Sequence, residues 1–576
     1  MISIKSDGLY TISKDGQEIK ISGPITVKAI VSSPDKRDDF GFLIEWKNYF
    51  GISMREVLSM GEIDDYSARK FKKKLLSSGF QLSTRRNTWD LLLSYLIESP
   101  CAEHAYSARQ SGWIGRQFVT PDWSIGKAQT PAVYIGDSAA ANLIKSGTLS
   151  DWQQHVGRYC RGNPMMILAV CCALAAPLIE WTGIESFGIQ IVGDSKSGKS
   201  TAMRVAASMY SDQSYWETWS STANGIESIA RARNHMLLCL DEFKQCPAQE
   251  MDRLIYHLCN GVSKLRSERD GSLGKRHRWR TIFLSTGELT LEELFLTINQ
   301  KVSAGQAVRF IEIPTFGAFD VFDNIHEFSS AKEFAEHLGA GTNKYYGTLA
   351  KAWVETLARL DCPEDKVITE YRSIRQEWPW SNDIGSQANN VLDKLALLAA
   401  AGEIGTNHGL LPWHLGDAKD ALKRVATIWL DDRNSNENVE SKRIATKLLK
   451  LINKWRHCIV PKDQNVDGAI GTFEIDQKLI WCIPQKIFRS AVIESSSREF
   501  RQAINYMWKK GWLITNEGDR RTFKIGNERF VKFFPAQICQ DCGDSVDLSH
   551  FYNQPNHLIN NKYPIIPTSQ SENQEC

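Results

Sequence analysis

A lysine followed by a serine and a threonine, closing a glycine-bracketed loop, can hold a polyphosphate, and these residue types occur at Gly193-Asp194-Ser195-Lys196-Ser197-Gly198-Lys199-Ser200-Thr201. The apolar run 187–192 before the loop reads as a buried strand and residues 199–210 after it as a helix, the context a phosphate-binding P-loop requires. Gly193 and Gly198 let the backbone fold its N–H groups inward, and the helix start adds the positive end of its dipole. Lys199 reaches the β and γ oxygens, and Ser200 offers a hydroxyl to Mg²⁺. The expected ligands are ATP and Mg²⁺.

Hydrolysis needs a carboxylate for the metal and a base for water. The apolar run 236–240 delivers Asp241 and Glu242 to the carboxyl edge of a sheet, where Asp241 can reach Mg²⁺ and Glu242 can activate the attacking water. The next strand, 281–285, ends at Ser285-Thr286-Gly287-Glu288 and is expected between the two preceding strands, with Thr286 or Ser285 sensing the γ-phosphate. Arg309 opens a later strand near the edge of the fold, a place from which a guanidinium can act as a finger on a neighbouring subunit's nucleotide. The alternative for it is a surface ion pair with Glu312.

Residues 261–280 hold Lys264, Arg266, Arg269, Lys275, Arg276, Arg278 and Arg280 against Glu268 and Asp270. The turn-like centre 269–274 joins two arms, 262–267 and 276–282, that can pair as a hairpin. Such a concentration of positive charge suits a nucleic-acid backbone, each neutralised phosphate adding about 0.9 to the salt slope of duplex binding.

The elements that must position these residues span 576 residues, too many for one core. The organisation expected is an α+β N-terminal domain (1–158), an α/β P-loop core of AAA+ type (159–330), a helical lid or collar (331–465), a winged-helix-like unit (466–535) and a polar tail (536–576). In the N-terminal domain, 9–13 and 18–21 read as a hairpin, 40–46 as a strand, and 65–78 and 88–97 as helices; no site is evident there. A net charge of +2 carries no message about partners, because local basic surfaces hide inside a balanced total. The apolar run 164–179 is short for a bilayer and contains Pro177, which makes it a buried helix. No export signal is visible, so a cytoplasmic location without a membrane partner is expected. Thirteen scattered cysteines fit reduced core thiols.

Near the C-terminus, Ser496-Ser497-Arg498-Glu499 has a capping-box pattern, opening a helix with Phe500, Ile504, Met507 and Trp508 on one face and Gly511 at its end. Stretches 512–515 and 521–525 complete a helix-strand-turn-strand order, as in a winged helix. In the tail, Cys539 and Cys542, followed by His550 and His557, are residue types that hold Zn²⁺, at spacings longer than in common modules. Two reduced thiols in a loop are the alternative.

Taken together the motifs resemble the domain-of-unknown-function 927 family of bacterial and mobile-element proteins, whose members look like helicase-type ATPases. The likeness covers most of residues 10–455. It is carried by Ser111-Gly112-Trp113-Ile114-Gly115, the P-loop with Val205-Ala206-Ala207-Ser208, residues 218–227, Leu240-Asp241-Glu242, Asn260-Gly261, Ser285-Thr286-Gly287-Glu288 and residues 398–403. Where that family has Gly-Lys-x-Arg after Asn-Gly, this chain has Val262-Ser263-Lys264-Leu265-Arg266. The motif order is also similar to that of superfamily-3 and related AAA+ replicative helicases. That resemblance implies a homo-hexamer, a hairpin with Lys264, Arg266 and Lys275 lining a pore around single-stranded DNA, and Arg309 acting in the adjacent subunit's site. The implied activity is ATP-dependent DNA unwinding or translocation in a mobile or phage-related element, with duplex DNA on the C-terminal unit and a primase or other replication protein as a further partner. An ATP-gated DNA-binding switch that hydrolyses without unwinding is the alternative.

Overall fold

Alternating apolar and polar residues over the first sixty positions, interrupted by turn residues, fold in the computed structural model into six strands: β1 (Ile2–Lys5), β2 (Gly8–Ile12), β3 (Glu18–Ser22), β4 (Ile25–Ser32), β5 (Gly41–Lys47) and β6 (Ser53–Ser59). The structure describes residues 2–13, 15–63, 65–263, 276–298, 302, 304–380, 384–462, 469–476, 478–492, 504, 506–508, 510–515, 522–525, 528–541, 546 and 548–552. Helices α1 (Asp65–Ser77) and α2 (Thr88–Glu98) follow, then β7 (His104–Ala108), β8 (Gly112–Ile114), β9 (Gln117–Val119), β10 (Ser124–Gly126) and β11 (Ala132–Tyr134). Strands β11-β7-β4-β5-β6 lie side by side as one mixed sheet. Phe71 and Leu75 of α1 and Leu92 and Leu96 of α2 share a core with Ile44, Trp46 and Leu58 of that sheet.

A second sheet is wholly parallel. Its strands are β12 (Phe187–Val192), β13 (Glu217–Thr218), β14 (Leu237–Asp241), β15 (Ile282–Gly287) and β16 (Phe310–Pro314), in the order β13-β14-β15-β12-β16. Every residue of β15 is buried, as are all but the last of β12 and of β14, so these strands are covered on both faces. Helices Lys199–Ala207, Ala223–Ala232 and Ala248–Asn260 make the crossovers between them. Parallel strands with helical crossovers bring the loops after β12, β14 and β15 to one edge.

The apolar run near 164 forms the helix Pro164–Ala175, buried at all twelve positions and packed on β15 and on the helix Ser386–Asn407. Pro164–Thr182 has the length and hydropathy of a membrane span, and 83% of that window lies inside the protein. It is the core helix expected from the sequence. Residues 331–455 are mostly helical: Ala331–Lys344, Thr348–Arg359, Pro363–Glu377, Ser386–Asn407 and Asp417–Trp455.

Contacts divide the chain into two units, Met1–Leu430 and Asp431–Cys576. In the second, β17 (Ile459–Pro461), β18 (Gly471–Asp476), β19 (Lys478–Pro484), β20 (Phe523–Ile525) and β21 (Glu528–Phe533) form a sheet ordered β17-β18-β19-β21-β20. Gly511, at φ 70, follows the turn carrying Met507 and Trp508 and donates its N–H to Trp508 O at 2.9 Å, as a helix stop should. The capping-box residues 496–499 and Phe500 lie outside the described residues. Strand pairing differs from the expected order: β20 pairs with β21, and Leu513 forms an isolated bridge to Phe533. Val531 and Phe533 both turn inward and are buried, which makes β21 the stronger apolar partner.

Lys394, on Ser386–Asn407, is 3% exposed; its Nζ donates to Val308 O at 2.6 Å and sits 5.4 Å from the Phe187 ring centre. Burial pulls its pKa down from 10.5 to about 8. Because the folded value lies below the unfolded one, the unfolded chain binds more protons between pH 8 and 10.5, and stability rises with pH across that window. Urea unfolding of wild type and Lys394→Met should therefore show their stability difference moving toward wild type by about 2 kcal/mol between pH 7 and 9.5. A difference independent of pH would contradict the buried charge.

Candidate functional site

Strand β12 ends at Val192, and the chain turns back before the helix Lys199–Ala207 begins. Gly198 sits at φ 86, and a side chain there would meet the Phe322 ring at 3.1 Å, so both backbone and space call for glycine. Thr201 N–H and Ala202 N–H donate to Gly198 O (3.0 and 3.1 Å), while the N–H groups of Lys199 and Ser200 precede the first such bond, as at any helix start. Lys199 is 8% exposed, and its Nζ donates to Gly193 O (2.9 Å), Asp194 O (2.6 Å) and Ser197 Oγ (3.1 Å). Burial pulls its pKa below the ordinary lysine value, while Glu288, Asp241, Asp194 and Asp320 pull it back up. Beside the loop opens a cleft of about 1280 Å³, lined by residues 196–201, Arg204 and parts of 317–322 and 331–343.

Asp241 closes β14 at the same edge. Its Oδ2 lies 3.5 Å from Ser200 Oγ, and its Oδ1 accepts hydrogen bonds from the Thr286 hydroxyl and from the Glu242 N–H (2.9 Å). Ser200 Oγ and Asp241 Oδ2 are hard oxygen donors at a spacing that suits Mg²⁺ retaining most of its waters, so the residues present fit that ion. Glu242 follows at φ 60, a left-handed corner rare outside glycine and frequent at functional sites.

The structure separates Ser285 from Thr286. Ser285 is fully buried, accepts from Trp219 Nε1 (2.9 Å) and donates to Gln190 Oε1 (2.9 Å), while Gln190 Nε2 donates to Leu289 O (2.9 Å). That hydroxyl serves the core beneath the site. Thr286, one residue on, faces Asp241 instead.

Lys199, Ser200, Asp241, Glu242 and Thr286 thus come together, and Arg309 does not join them. Its carbonyl accepts from Gly188 N–H (2.8 Å), at the start of β12, roughly 16 Å along the strand from the loop. The guanidinium lies 3.5 Å from Glu185, whereas Glu312 accepts from Leu291 N–H. The root of the basic hairpin occupies this same amino edge. Val262 bridges Arg278 in antiparallel fashion, Ser263 N–H donates to His277 O (2.9 Å), and Trp279 is buried, donating Nε1 to Leu258 O (3.2 Å). Arg276, Arg278 and Arg280 alternate outward. Lys264, Arg266, Arg269 and Lys275 lie outside the described residues, as do Cys542 and His557. Cys539 is buried in the C-terminal core, and among the described residues no cluster of three metal-ligating side chains occurs.

One feature of the site region was missed in the sequence. His235, at φ 57, accepts the Trp113 N–H on Nδ1 (3.0 Å) and places Nε2 3.2 Å from Glu180. Asn234 accepts the Arg280 N–H (2.8 Å) and donates to Ser111 O (2.8 Å). A side chain on Gly112 would come within 2.6 Å of His235 Nδ1. This clasp joins β8 to the start of β14 and to the end of the hairpin's return arm, where β15 begins. The segment Ser111-Gly112-Trp113 was the available signal, without a stated role.

The fold of the chain is similar to that of a solved helicase chain. That structure, described as "SCCmec type IV Cch - active helicase", aligns with a TM-score of 0.64 at 16% identity, covering 94% of this chain and 98% of that one. Residues 3–279 match the model of a domain of unknown function, DUF927. A second solved structure, "The A form apo structure of NrS-1 C terminal region-CTR", aligns at a TM-score of 0.32 and 9% identity over 88% of this chain and 96% of that one, too weak to support an argument. Comparison with curated proteins finds no match.

The Ser285 and Thr286 environments predict stability effects of different size. Ser285→Ala leaves Trp219 Nε1 and Gln190 Oε1 without their buried partner and should cost about 1–3 kcal/mol, whereas Thr286→Val at the site edge should leave the melting temperature nearly unchanged. Equal melting temperatures for the two variants would show that the core assignment of Ser285 is wrong.

Proposed function

We propose that the chain is an ATP-driven DNA helicase or translocase of a mobile or phage-related element, acting as a homo-hexameric ring of AAA+ type. The observation that carries this is the division of labour across one sheet: the acid, lysine and hydroxyl cluster at its carboxyl edge, and the basic hairpin root with Arg309 at its amino edge. The strand order β13-β14-β15-β12-β16, the DUF927 match and the fold likeness to a helicase support the same reading.

In this reading Lys199 leaves its loop carbonyls to neutralise the phosphates, and Thr286 fixes the rotamer of Asp241. Bound Mg²⁺, held by Ser200 and Asp241, supplies charge neutralisation on the phosphate oxygens. Glu242 takes the proton of the attacking water. Arg309 is too far from its own chain's loop and serves the neighbouring subunit, while the hairpin grips single-stranded DNA. The C-terminal unit engages duplex DNA in the manner of a winged helix, and a primase works alongside. A phosphotransferase would have no use for the hairpin or for Arg309.

ATP hydrolysis with and without single-stranded DNA, and strand separation on a forked duplex, test this in wild type, Lys199→Ala and Lys264→Ala/Arg266→Ala. Wild type should hydrolyse faster with DNA and open the fork. Lys199→Ala should lose both activities, and the hairpin variant should keep basal hydrolysis without stimulation. DNA-stimulated hydrolysis without any opening identifies the ATP-gated switch instead, and hydrolysis indifferent to DNA in all variants overturns both. Mixing Glu242→Gln with Arg309→Ala subunits should restore part of the activity; no recovery would leave Arg309 a structural residue.

A further inference from the structure

The N-terminal domain carries a second basic surface. Residues 65–86 hold Arg69, Lys70, Lys72, Lys73, Lys74, Arg85 and Arg86 against the single acid Asp65, a denser excess than that of the hairpin. Phe71 and Leu75 anchor α1 on the sheet, which at helical spacing turns Arg69, Lys70 and Lys73 to the opposite, exposed face. Among the described residues none of these three forms an ion pair, whereas Lys74 is bound to Glu56 at 2.5 Å. Lys72 lies 5.4 Å from the Trp89 ring centre, which brings the start of α2, and with it exposed Arg85 and Arg86, alongside α1.

Beside this surface stands an aromatic tip. The β5–β6 turn exposes Tyr49 (69%), Phe50 (89%) and Ile52 (57%), and it packs on the end of α1, since a side chain at Gly79 would meet Asn48 and Tyr49 within 3.6 Å. Between the tip and β3 lies a groove of about 450 Å³ lined by Tyr49, Glu18, Lys20, Gln81, Ser83 and Arg85 among others. Lys20 is paired with Asp7 at 2.9 Å, which leaves Arg85 as the groove's cation. Aromatic faces, amide and hydroxyl groups and positive charge in one place are what an unstacked nucleotide requires: stacking for the base, hydrogen bonds for its edge and charge for its phosphates. A lipid surface has no base to fill such a groove.

We propose that α1, the Arg85-Arg86 turn and the Tyr49-Phe50 tip form a binding site for single-stranded nucleic acid, separate from the hairpin. It stands independently of the hydrolytic site: a chain unable to hydrolyse ATP would still bind here.

The test uses the full chain carrying Lys264→Ala/Arg266→Ala, so that the hairpin contributes little, and fluorescence anisotropy with labelled oligo-dT and oligo-rU, which decide between DNA and RNA. Adding Lys70→Ala/Lys73→Ala/Arg86→Ala should weaken binding at least about fivefold and lower the slope of log K against log salt by about 2, the value for three phosphates of a single strand. Lys70→Arg/Lys73→Arg/Arg86→Lys should restore both. Adding Tyr49→Ala/Phe50→Ala instead should weaken binding about fivefold or more with the slope unchanged, because stacking releases no counterions. Unchanged affinity and slope in both sets overturns the proposal, as does a loss confined to binding of phosphatidylserine vesicles. A wild type that binds as described yet hydrolyses no ATP removes the helicase reading and leaves this site standing.

Discussion

The parallel register of β12, β15 and β14 is the constraint on which the rest of the structure depends. Val192 lies opposite Gly287, Ile191 opposite Thr286, and Ser285 opposite Leu240, so the three strands end within a residue or so of one another. A slip of one residue would turn Thr286 into the core and Ser285 into the site, since successive side chains take opposite faces. The Trp219–Ser285–Gln190 chain guards against that slip, because its buried hydrogen bonds close only in the observed register. Placement of the lysine, the acid and the threonine is thus fixed by a polar network beneath the site as much as by the residues at its surface.

The same strands join two edges with different chemistry. Strand β14 begins beside the His235 clasp and ends at Asp241, and β15 begins at the hairpin's return arm and ends beside Thr286. Both are buried and close-packed, and such elements move as units rather than deform. A change at the Thr286–Asp241 hydrogen bond therefore has a short mechanical route to the hairpin root and, through Asn234 and His235, to β8 of the N-terminal domain. Lys394 adds a pin at the same amino edge, since its bond to Val308 O holds the residue preceding Arg309.

Much of this was legible in the sequence because the signals were local. A glycine-bracketed loop between an apolar run and a helix, an acid pair after an apolar run, and a capped helix stop at Gly511 each depend on a few neighbouring residues. Other features were not legible, because they depend on residues far apart in the chain. The clasp joins Ser111 to Asn234 across more than a hundred positions, and nothing in the local pattern of His235 marks it as the acceptor of a distant N–H. Ser285 and Thr286 are equivalent as sequence and differ only in the face each presents. The pairing of β20 with β21 was missed because it depends on which strand offers the better-buried partner, and Val531 and Phe533 of β21 are both buried in the core.

Net charge is the least informative number in this chain, for a physical reason. The hairpin and the α1 region are both strongly positive, and the whole chain is +2, so the remainder is on balance acidic. At physiological ionic strength fields decay over about 8 Å, so a polyanion approaching either basic surface feels that surface and not the total. An acidic remainder then sharpens the contrast, because it discourages adsorption of a polyanion elsewhere. A neutral protein with segregated charge can therefore hold nucleic acid at defined places where a uniformly basic one would bind it at many, and segregation rather than excess is what the α1 face and the hairpin have in common.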